Sequence, residues 1–547
     1  TMLIVVVILS LAALTYYVVQ KSQPPVPDIP TVSVWKTLCD NYRRVPRAKF
    51  YDTRIRPLIE QRGAVNVWNS GQWTIMVTEP SLVTQVFRHD EIFVKGGSIR
   101  RIPHSAAARL FGVNIIDSHG PLWKHFTDII KPSIQRKFDL GRIRQQSAQL
   151  AQQLLRAQHQ VDGPALGTSS GIRVENLVLR WTLIIFLDCF LDLDSDRFPL
   201  QIDALQRNFE RKKKGITTPL FSAIYNIFPN LERMHWLFPN GSKGMRIADE
   251  FERILLDLAH ESQAFASEEI KARRDDNKLI HRLIHARHEG HISEYHFRSN
   301  LKQVFMAGVE NTDLVLGSAL WELARNPQLQ ERARHEVVTS LPLDYSETDL
   351  DHCLPLLTSI IYETLRLYPP LVSMVNRYTS QPVCLGSDHP IPAGTWVAWH
   401  AYGTHTDPGV WGPDARDFNP DRWGADINAI NEMFRYQQVK GRYIPFTSHA
   451  RRCLGSRFAI TNLKVALCEI LRALEWEKAP GYEASLITVR VFFFRFPLES
   501  FRYTNHRIQG AVMGVTNCKL LFRERRLVER EDLQGGDTVR KLYCQTC

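Results

Sequence analysis

The feature that most constrains the fold is the long stretch from Gly141 to about Asp351, which has the residue pattern of helices almost throughout. Apolar residues recur there three and four positions apart, a spacing that places them on one face of a helix. Polar segments interrupt the pattern at Asp162–Gly171 and at Asp275–Lys278. The sequence therefore predicts a mostly helical body.

Short strand-like runs lie on either side of this region. The runs are Ala64–Trp68, Trp73–Val77, Val383–Leu385 and Thr395–Trp399, and a coil rich in proline and aspartate spans Asp407–Trp423. The first two runs flank an Asn-Ser-Gly turn, which favours a hairpin. We expect a mainly α fold with small β-sheets, and no linker divides the catalytic body predicted over residues 37–500.

The segment from Met2 to Gln20 carries no charge, and Lys21 follows it. As a helix its apolar part would approach the thickness of a bilayer core. A cleaved signal peptide is the competing interpretation, but no charged segment precedes the run and no small-residue cleavage site follows. We expect one transmembrane anchor over residues 2–20 and a stiff proline-rich hinge over residues 21–36. Basic residues after the anchor favour a cytosolic body on the endoplasmic reticulum membrane.

Charge and cysteine content narrow the classes of function. The 68 basic and 57 acidic residues leave a formal net charge of +11. Such an excess suits nucleic acid, anionic lipid or an acidic protein partner, but no nucleic-acid-binding motif is present. Among the nine cysteines, the one CxxC pair is Cys544 and Cys547, and a zinc ribbon needs a second pair. The spacing predicts mostly buried free thiols in a reducing compartment.

The loop Phe446–Gly455 contains Cys453 and precedes an apolar helical segment. A cysteine at a helix N-terminus meets free backbone N–H groups and the positive end of the helix dipole, and both stabilise a thiolate. Gly455 lets the backbone approach a flat cofactor, and Phe446 would shield the sulfur from water. The arrangement suits a haem-thiolate iron. An ordinary helix-capping loop is the alternative, and a metal pair of His449 with Cys453 lacks further ligands.

Glu363 and Arg366 lie three residues apart in the apolar segment Leu356–Leu367, which predicts a helix. At this spacing the two side chains share one helical face and can pair. An exposed pair contributes little to stability. The apolar neighbours predict burial, however, and a buried pair needs further hydrogen bonds. Arg422 is the predicted third member of the group.

A third element, Phe305–Thr312, lies inside a predicted apolar helix over Phe297–Arg325. Gly308 costs about 1 kcal/mol there relative to alanine, and Glu310 and Asn311 are polar residues between apolar turns. One interpretation is a loosely packed core helix. The other is a local groove in which oxygen binds and a polar relay delivers protons.

These three elements, in this order and spacing, resemble the cytochrome P-450 superfamily over about Thr37 to Trp476. The I-helix motif corresponds to AGVENT, the ExxR motif to ETLR, the PERF-type segment to NPDRW and the cysteine loop to FTSHARRCLG. In finer detail the chain is similar to the fungal dityrosine-type, or spore-wall, subgroup. The segments that carry this likeness are YDTRIRPLIEQRGAVNVW, IRRIPHSAAARL and GTHTDPGVWGPDARDFNPDRWG.

The resemblance implies the cytochrome P-450 fold and haem b as cofactor. An indole N–H and guanidinium groups are suitable donors to the haem propionates. The site residues that it implies are Cys453 as the metal ligand, Phe446 and Gly455 beside it, Trp123, Arg377 and Arg451 at the propionates, Glu310, Asn311 and Thr312 for catalysis, and Glu363, Arg366 and Arg422 in the structural core.

Three positions depart from the family pattern. Thr127 stands four residues after Trp123, where an arginine is expected, so that one propionate contact is lost. His449 stands where glycine is usual; if a positive φ is needed there, histidine is tolerated better than most residues. Asn311 replaces the usual oxygen-activating threonine, and Thr312 is rotated by about 100° from it on an ideal helix.

The resemblance implies oxidation of a small lipophilic or aromatic amino-acid-derived metabolite, by hydroxylation or phenol coupling, in secondary metabolism or spore-wall chemistry. Besides O2 and substrate, the implied partners are NADPH–cytochrome P-450 reductase and cytochrome b5. An acidic reductase surface could meet Arg442, Arg451, Arg452 and Arg457. The alternatives are a generalist monooxygenase of fatty acids and xenobiotics, and a catalytically silent haem-binding membrane protein. Residues 501–547 form an atypical tail, which we expect to be disordered or to come from a misread exon boundary.

Overall fold

A computed structural model describes residues 23–42, 45, 47–69, 71–161, 171–213, 225, 228–237, 242–264, 277–480, 485–486 and 513–525. The α-helices are α1 (Val34–Tyr42), α2 (Arg47–Phe50), α3 (Arg56–Arg62), α4 (Pro80–Arg88), α5 (Gly97–Arg101), α6 (Ala106–Phe111), α7 (Gly120–Ile134), α8 (Leu140–Val161), α9 (Glu175–Phe186), α10 (Pro199–Lys213), α11 (Lys243–Ala264), α12 (Leu279–His288), α13 (Glu294–Arg325), α14 (Pro327–Ser340), α15 (Glu347–His352), α16 (Pro355–Leu367), α17 (Ala401–His405), α18 (Pro408–Trp411), α19 (Ile427–Val439) and α20 (Ser456–Ala473). The strands are β1 (Ala64–Asn69), β2 (Gln72–Val77), β3 (Phe93–Lys95), β4 (Ile172–Arg173), β5 (Ser373–Thr379), β6 (Val383–Leu385), β7 (His389–Ile391), β8 (Trp396–His400), β9 (Leu474–Lys478), β10 (Ser485–Leu486), β11 (Val515–Thr516) and β12 (Lys519–Glu524).

Helix α13 runs through the main hydrophobic core and packs against α9, α11, α12, α16 and α20. Its N-terminus is capped by the Ser293 hydroxyl, which accepts the His296 backbone N–H. It ends at Arg325, and Pro327 begins the next helix, because proline disfavours a helical residue before it. This helix carries the predicted proton relay into the centre of the molecule.

The largest sheet has the strand order β1-β2-β8-β5-β3. Strands β2 and β8 are parallel, and the other neighbours are antiparallel. The predicted hairpin is formed by β1 and β2, in a register that sets Ala64 opposite Val77. Strand β3 at the other edge sets Lys95 opposite Arg377.

The mainly helical architecture with small sheets confirms the predicted fold class. The predicted helix over 297–325 begins three residues earlier, at Glu294, and the predicted strand over 395–399 is shifted by one residue. These differences are confined to element ends, where the local pattern is weakest.

Two terminal segments differ from expectation. Part of the proline-rich hinge packs onto the sheet, since Val26 and Ile29 are buried and the Asn66 amide donates to both of their carbonyl oxygens. Part of the predicted tail is folded as well, because strand β12 pairs with β4 and β9 and buries Leu520 between them. The rest of the tail, beyond residue 525, lies outside the described residues.

The predicted anchor over residues 2–20 also lies outside the described residues. In the ranges that the structure describes, no helix combines the length and the apolar character required to cross a bilayer.

Candidate active site

The loop that precedes helix α20 closes on itself around Cys453. The Cys453 backbone N–H donates to the Phe446 carbonyl oxygen at 2.9 Å. Burial raises the pKa of the Cys453 thiol, although the backbone N–H groups of Gly455 and Ser456 and the charge of Arg452 act in the opposite direction. The sequence predicts that the helix terminus stabilises the thiolate, and its effect on the pKa is in that direction but smaller than that of burial. A bound metal cation would deprotonate the thiol outright.

Two non-glycine residues of this loop have left-handed backbone conformations. Thr447 has a φ of 55° and His449 a φ of 56°. The usual glycine would adopt this conformation freely, whereas histidine and especially a β-branched threonine adopt it at a cost. The Thr447 hydroxyl donates to the Arg451 carbonyl oxygen at 2.9 Å and so holds the turn. The strained turn thereby sets the position of Arg451, two residues before the cysteine.

A cavity of about 440 Å³ borders Cys453, which is exposed where it lines this space. Phe138 and Phe458 contribute apolar walls, and Lys131 and Arg452 contribute positive charge. Cys453 is therefore enclosed by its own loop on one side and borders the cavity on the other.

Glu363 and Arg366 are completely buried side by side on helix α16. Arg366 donates to both carboxylate oxygens of Glu363, at 2.7 and 2.8 Å. Arg422, the Asn419 backbone and the Trp423 indole also donate to this carboxylate. The other N–H groups of Arg366 donate to carbonyl oxygens of residues 405, 415 and 417. The predicted group of three is thus brought together, with the additional hydrogen bonds that a buried ion pair needs.

His405 belongs to this network, although no sequence pattern singled it out. Its Nδ1–H donates to the Arg366 carbonyl oxygen at 3.1 Å, and its Nε2 accepts the Ile444 backbone N–H at 2.8 Å. Because Ile444 precedes Phe446 by two residues, the ring links helix α16 to the cysteine loop. Burial, and then the charge of Arg366, lowers the pKa of His405 to about 3. The ring is therefore neutral, as both hydrogen bonds require.

We expect His405 to make stability depend on pH. The unfolded imidazole binds a proton near pH 6.5, whereas the folded ring does so near 3. Its contribution is therefore fully present above about pH 6.5 and decreases as the pH falls toward 3. Between about pH 6.5 and pH 5 the loss amounts to about 2 kcal/mol. Denaturant unfolding should show a smaller difference between these pH values in the His405→Gln variant, and an unchanged difference would contradict the assignment.

Helix α13 is buried around most of its circumference but has one partly exposed stripe. Between Ser299 and Ala324 the residues that are not buried are Gln303, Ala307, Gly308 and Asn311. The Asn311 amide donates to the Ala307 carbonyl oxygen at 3.1 Å. Thr312 is buried, and its hydroxyl donates to the Gly308 carbonyl oxygen at 3.2 Å. Of the three predicted catalytic residues, Asn311 is the one that reaches this stripe.

Glu310 has a partner that the sequence did not reveal. Lys212, near the end of helix α10, donates to its carboxylate at 2.7 Å, and the two side chains are only 9% and 10% exposed. The Lys212 ammonium also lies 5.6 Å from the centre of the Phe209 ring. The sequence predicts that Glu310 acts with Asn311 in a relay, but its carboxylate pairs with Lys212 and so links helix α13 to helix α10. Removing either partner would leave an unpaired buried charge.

Gly308 is required by close packing rather than by a loose core. A Cβ at this position would lie 2.6 Å from the Cε2 atom of Phe186. That ring cannot move aside easily, because it is buried and packs 4.7 Å from the rings of both Phe190 and Phe305. The glycine lets helices α9 and α13 approach each other beside the partly exposed stripe.

Gly308→Ala should therefore destabilise the protein, although alanine favours a helix by about 1 kcal/mol. Overpacking a core costs about 1–3 kcal/mol, so we expect a net loss of roughly 1 kcal/mol. Gly317→Ala is the matched control on the same helix, because its Cβ would meet no atom within 4 Å, and we expect it to stabilise. Unfolding curves of both variants give the two signs; equal effects would show that Phe186 exerts no constraint.

The residues predicted at the haem propionates lie together. The Arg451 guanidinium lies 4.4 Å from the Trp123 ring centre. Arg377 donates to Asp90 at 2.7 Å, and Arg451 lies 3.6 Å from the same carboxylate. Among the described residues, the buried Arg377 Nε and Arg451 Nη1 have no hydrogen-bond partner. Thr127 cannot serve them, since its hydroxyl donates to the Trp123 carbonyl oxygen of its own helix.

Comparison with known proteins decides the family. Residues 60–494 match the family model described as cytochrome P-450. The cytochrome P-450 monooxygenase xanG of Aspergillus fumigatus is 34% identical over 467 residues, which cover 85% of each chain. This chain is a cytochrome P-450.

Two further relatives of this cytochrome P-450 support the assignment to the family. The cytochrome P-450 DIT2 of Saccharomyces cerevisiae is 28% identical over 465 residues, which cover 84% of this chain and 89% of that protein. The cytochrome P-450 714C2 of Oryza sativa is 26% identical over 432 residues, or 77% of this chain and 76% of that protein. The predicted enzyme class and the resemblance to the fungal subgroup are thereby confirmed.

The family's cofactor is a haem held by a cysteine thiolate, and the described residues fit it. Cys453 lies at a helix entrance and lines the adjoining cavity. Arg377 Nε and Arg451 Nη1, which make no hydrogen bond within the described residues, can donate to carboxylates, and buried donors are costly when they lack an acceptor. Both ends of the cofactor thus have complementary groups in this cytochrome P-450.

Proposed function

We propose that this cytochrome P-450 oxidises a small aromatic amino-acid-derived or otherwise lipophilic metabolite, by hydroxylation or by phenol coupling. The observation that carries the proposal is the stripe of helix α13, where Asn311 is partly exposed and Thr312 is buried. The side-chain amide of Asn311 can donate and accept hydrogen bonds, but it does not ionise. This suits a substrate that brings its own acidic hydroxyl, as a tyrosine-derived phenol does. The resemblance to the fungal dityrosine-type subgroup, among whose members DIT2 of Saccharomyces cerevisiae is a relative of this chain, points to the same substrate class.

Cys453 would hold the haem iron, and Trp123, Arg377 and Arg451 would hold the propionates. The bound haem would supply reductive activation of O2 with electrons that originate from NADPH. Phe446, which is partly buried, would limit the access of water to the sulfur. The network around Glu363 would hold the cysteine loop in position, because His405 links it to the Ile444 backbone.

The residues around the reaction site would act on protons and on substrate orientation. Phenol coupling removes one hydrogen atom from each of two phenols and joins the rings, so that no oxygen atom is inserted. With O2 as the oxidant and two electrons from NADPH, both oxygen atoms would leave as water. Two of the four protons required would come from the substrate hydroxyls, which Asn311 would orient, and the other two from solvent. Hydroxylation instead needs protons delivered to the oxygen site, which would depend on an Asn311-centred relay.

A binding screen tests the substrate class. The full-length haem protein is titrated with an N-acyl tyrosine, the matched N-acyl phenylalanine and a fatty acid, and the shift of the haem absorption band is recorded. We expect the tyrosine derivative to bind at least about tenfold more tightly than the phenylalanine derivative, because a buried group that recognises the hydroxyl is left unpaired without it. Product masses then separate coupling from hydroxylation. Preference for the fatty acid would support the generalist alternative.

Asn311→Ala tests the relay. If hydroxylation is the reaction, loss of the amide should lower product formation by on the order of a hundredfold and divert electrons from NADPH to peroxide. Asn311→Thr, which restores the family residue, should recover the yield. If the reaction is phenol coupling, both variants should keep most of the product formed for each NADPH consumed. An unchanged yield in a verified hydroxylation would leave Asn311 as a packing residue.

The proposed electron donor is NADPH–cytochrome P-450 reductase, with cytochrome b5 as a second donor. Arg452 is exposed beside the cavity at Cys453 and could meet an acidic surface. Arg457 is exposed too but pairs with Glu347 at 2.8 Å. The Arg451 side chain is only 5% exposed, so it is withdrawn from any docking face. We also propose that residues 2–20 anchor the enzyme in the endoplasmic reticulum membrane with the catalytic body in the cytosol, on the strength of their uncharged sequence.

A further inference from the structure

Lys95 is a buried cation at the end of strand β3, beside Arg377 and Arg451. The residue is 6% exposed. Its backbone carbonyl accepts a hydrogen bond from the His119 ring at 2.9 Å. Within the described part of the chain, its ammonium has neither a hydrogen-bond acceptor nor a carboxylate at ion-pair distance. A buried ammonium in this state is costly unless something else neutralises it.

The sheet brings a second cation directly against it. Strands β3 and β5 are antiparallel, and Lys95 stands opposite Arg377 in their register. Directly opposite side chains emerge on the same face with their Cβ atoms about 5 Å apart, and like charges in these positions repel each other. Burial, and then the charges of Arg377 and Arg451, holds the pKa of Lys95 well below its ordinary value.

The neighbouring carboxylates do not balance this charge. Asp90 is engaged with Arg377 at 2.7 Å and lies near Arg451. Asp117 lies against Gly97 and contacts the Asn376 amide at 3.5 Å. Burial raises the pKa of Asp117, although the nearby charge of Lys95 opposes this effect. Three cations therefore face at most two carboxylates, and the excess is positive.

We infer that Lys95 binds a haem propionate and replaces the arginine that the family places at the position of Thr127. A propionate would accept from Lys95 and from Arg377 Nε and Arg451 Nη1, which make no hydrogen bond within the described residues, and would remove the repulsion across the strand pair. The cation would then lie at the end of strand β3 and not on helix α7, where the family has its arginine. The number of cations available to the propionates would be the same.

Haem retention by the full-length holoenzyme tests this inference. Lys95→Met removes the charge at similar volume, and Lys95→Arg keeps it. A charged hydrogen bond contributes roughly 1.5 kcal/mol or more, so haem transfer to excess apomyoglobin should become about tenfold faster in Lys95→Met and stay near the wild-type rate in Lys95→Arg. Lys302→Met is the matched control, because Lys302 is also buried but pairs with Glu252. It should lower stability without accelerating haem loss.

The propionate itself is tested with haem dimethyl ester, which lacks the negative charges. If Lys95 binds a propionate, esterification should accelerate haem loss much less in Lys95→Met than in the wild type. Adding Thr127→Arg to the Lys95→Met variant should restore retention of ordinary haem. If Lys95→Met fails to fold, Lys95→Gln takes its place. Haem loss at the wild-type rate, or an equal effect of the substitution on haem and on its ester, would show that Lys95 is only a structural residue.

Discussion

Cys453→Ser is expected to abolish both the thiolate-type absorption spectrum and oxygenase activity. A serine hydroxyl stays protonated where a thiol can be deprotonated by a metal cation, so the strong sulfur donor would be lost. The described cysteines that are buried cannot replace it, because Cys189, Cys468 and Cys518 do not line the cavity that borders Cys453. We expect activity to fall below detection, while the helical content stays unchanged.

The spectrum of the reduced, CO-bound protein measures this effect directly. Cys384→Ser is the matched control, because Cys384 is also exposed and its thiol contacts only the nearby Ser387 carbonyl oxygen, at 3.2 Å. The control should retain the full thiolate band. If Cys453→Ser kept the band at its normal position, the iron ligand would have to be another residue.

Glu363→Ala should prevent formation of the haem-containing protein rather than merely slow turnover. Its carboxylate accepts from two guanidinium groups, one backbone N–H and one indole, all at 3.1 Å or less. Removing it leaves Arg366 as an unpaired charge with no exposed surface, which costs roughly 3–5 kcal/mol. A loss of that size is a large part of the stability of a typical domain. The segment behind the cysteine loop would then lose its fixed position.

Haem content after purification and the unfolding temperature provide the measurement. Asp421→Ala is the matched control in the adjacent segment, since Asp421 pairs with Arg332 at 2.8 Å but both side chains are more than half exposed. Such a pair contributes about 1 kcal/mol or less, so the control should bind haem normally. Full haem content and an unchanged unfolding temperature in Glu363→Ala would refute the structural role of the network.

The sequence alone determined the features that depend on near neighbours in the chain. Apolar spacing predicted helices α13 and α16 and the hairpin of β1 and β2, because helical and strand periodicity are local properties. The same spacing placed Glu363 and Arg366 on one face, three residues apart. The cysteine loop could be recognised because its residues are contiguous in the chain. The usual glycine at the position of His449 raised the condition of a positive φ, which the structure meets with a φ of 56°.

Tertiary structure decided the partners that come from distant segments. Lys212 and Glu310 are 98 residues apart, and no periodicity connects helix α10 with helix α13. His405 links helix α16 to the cysteine loop because helix α17 packs against helix α16. Lys95 faces Arg377 because two distant strands share one register. Buried polar groups must find partners wherever the fold provides them, so their pairing follows from how the chain packs and not from local sequence.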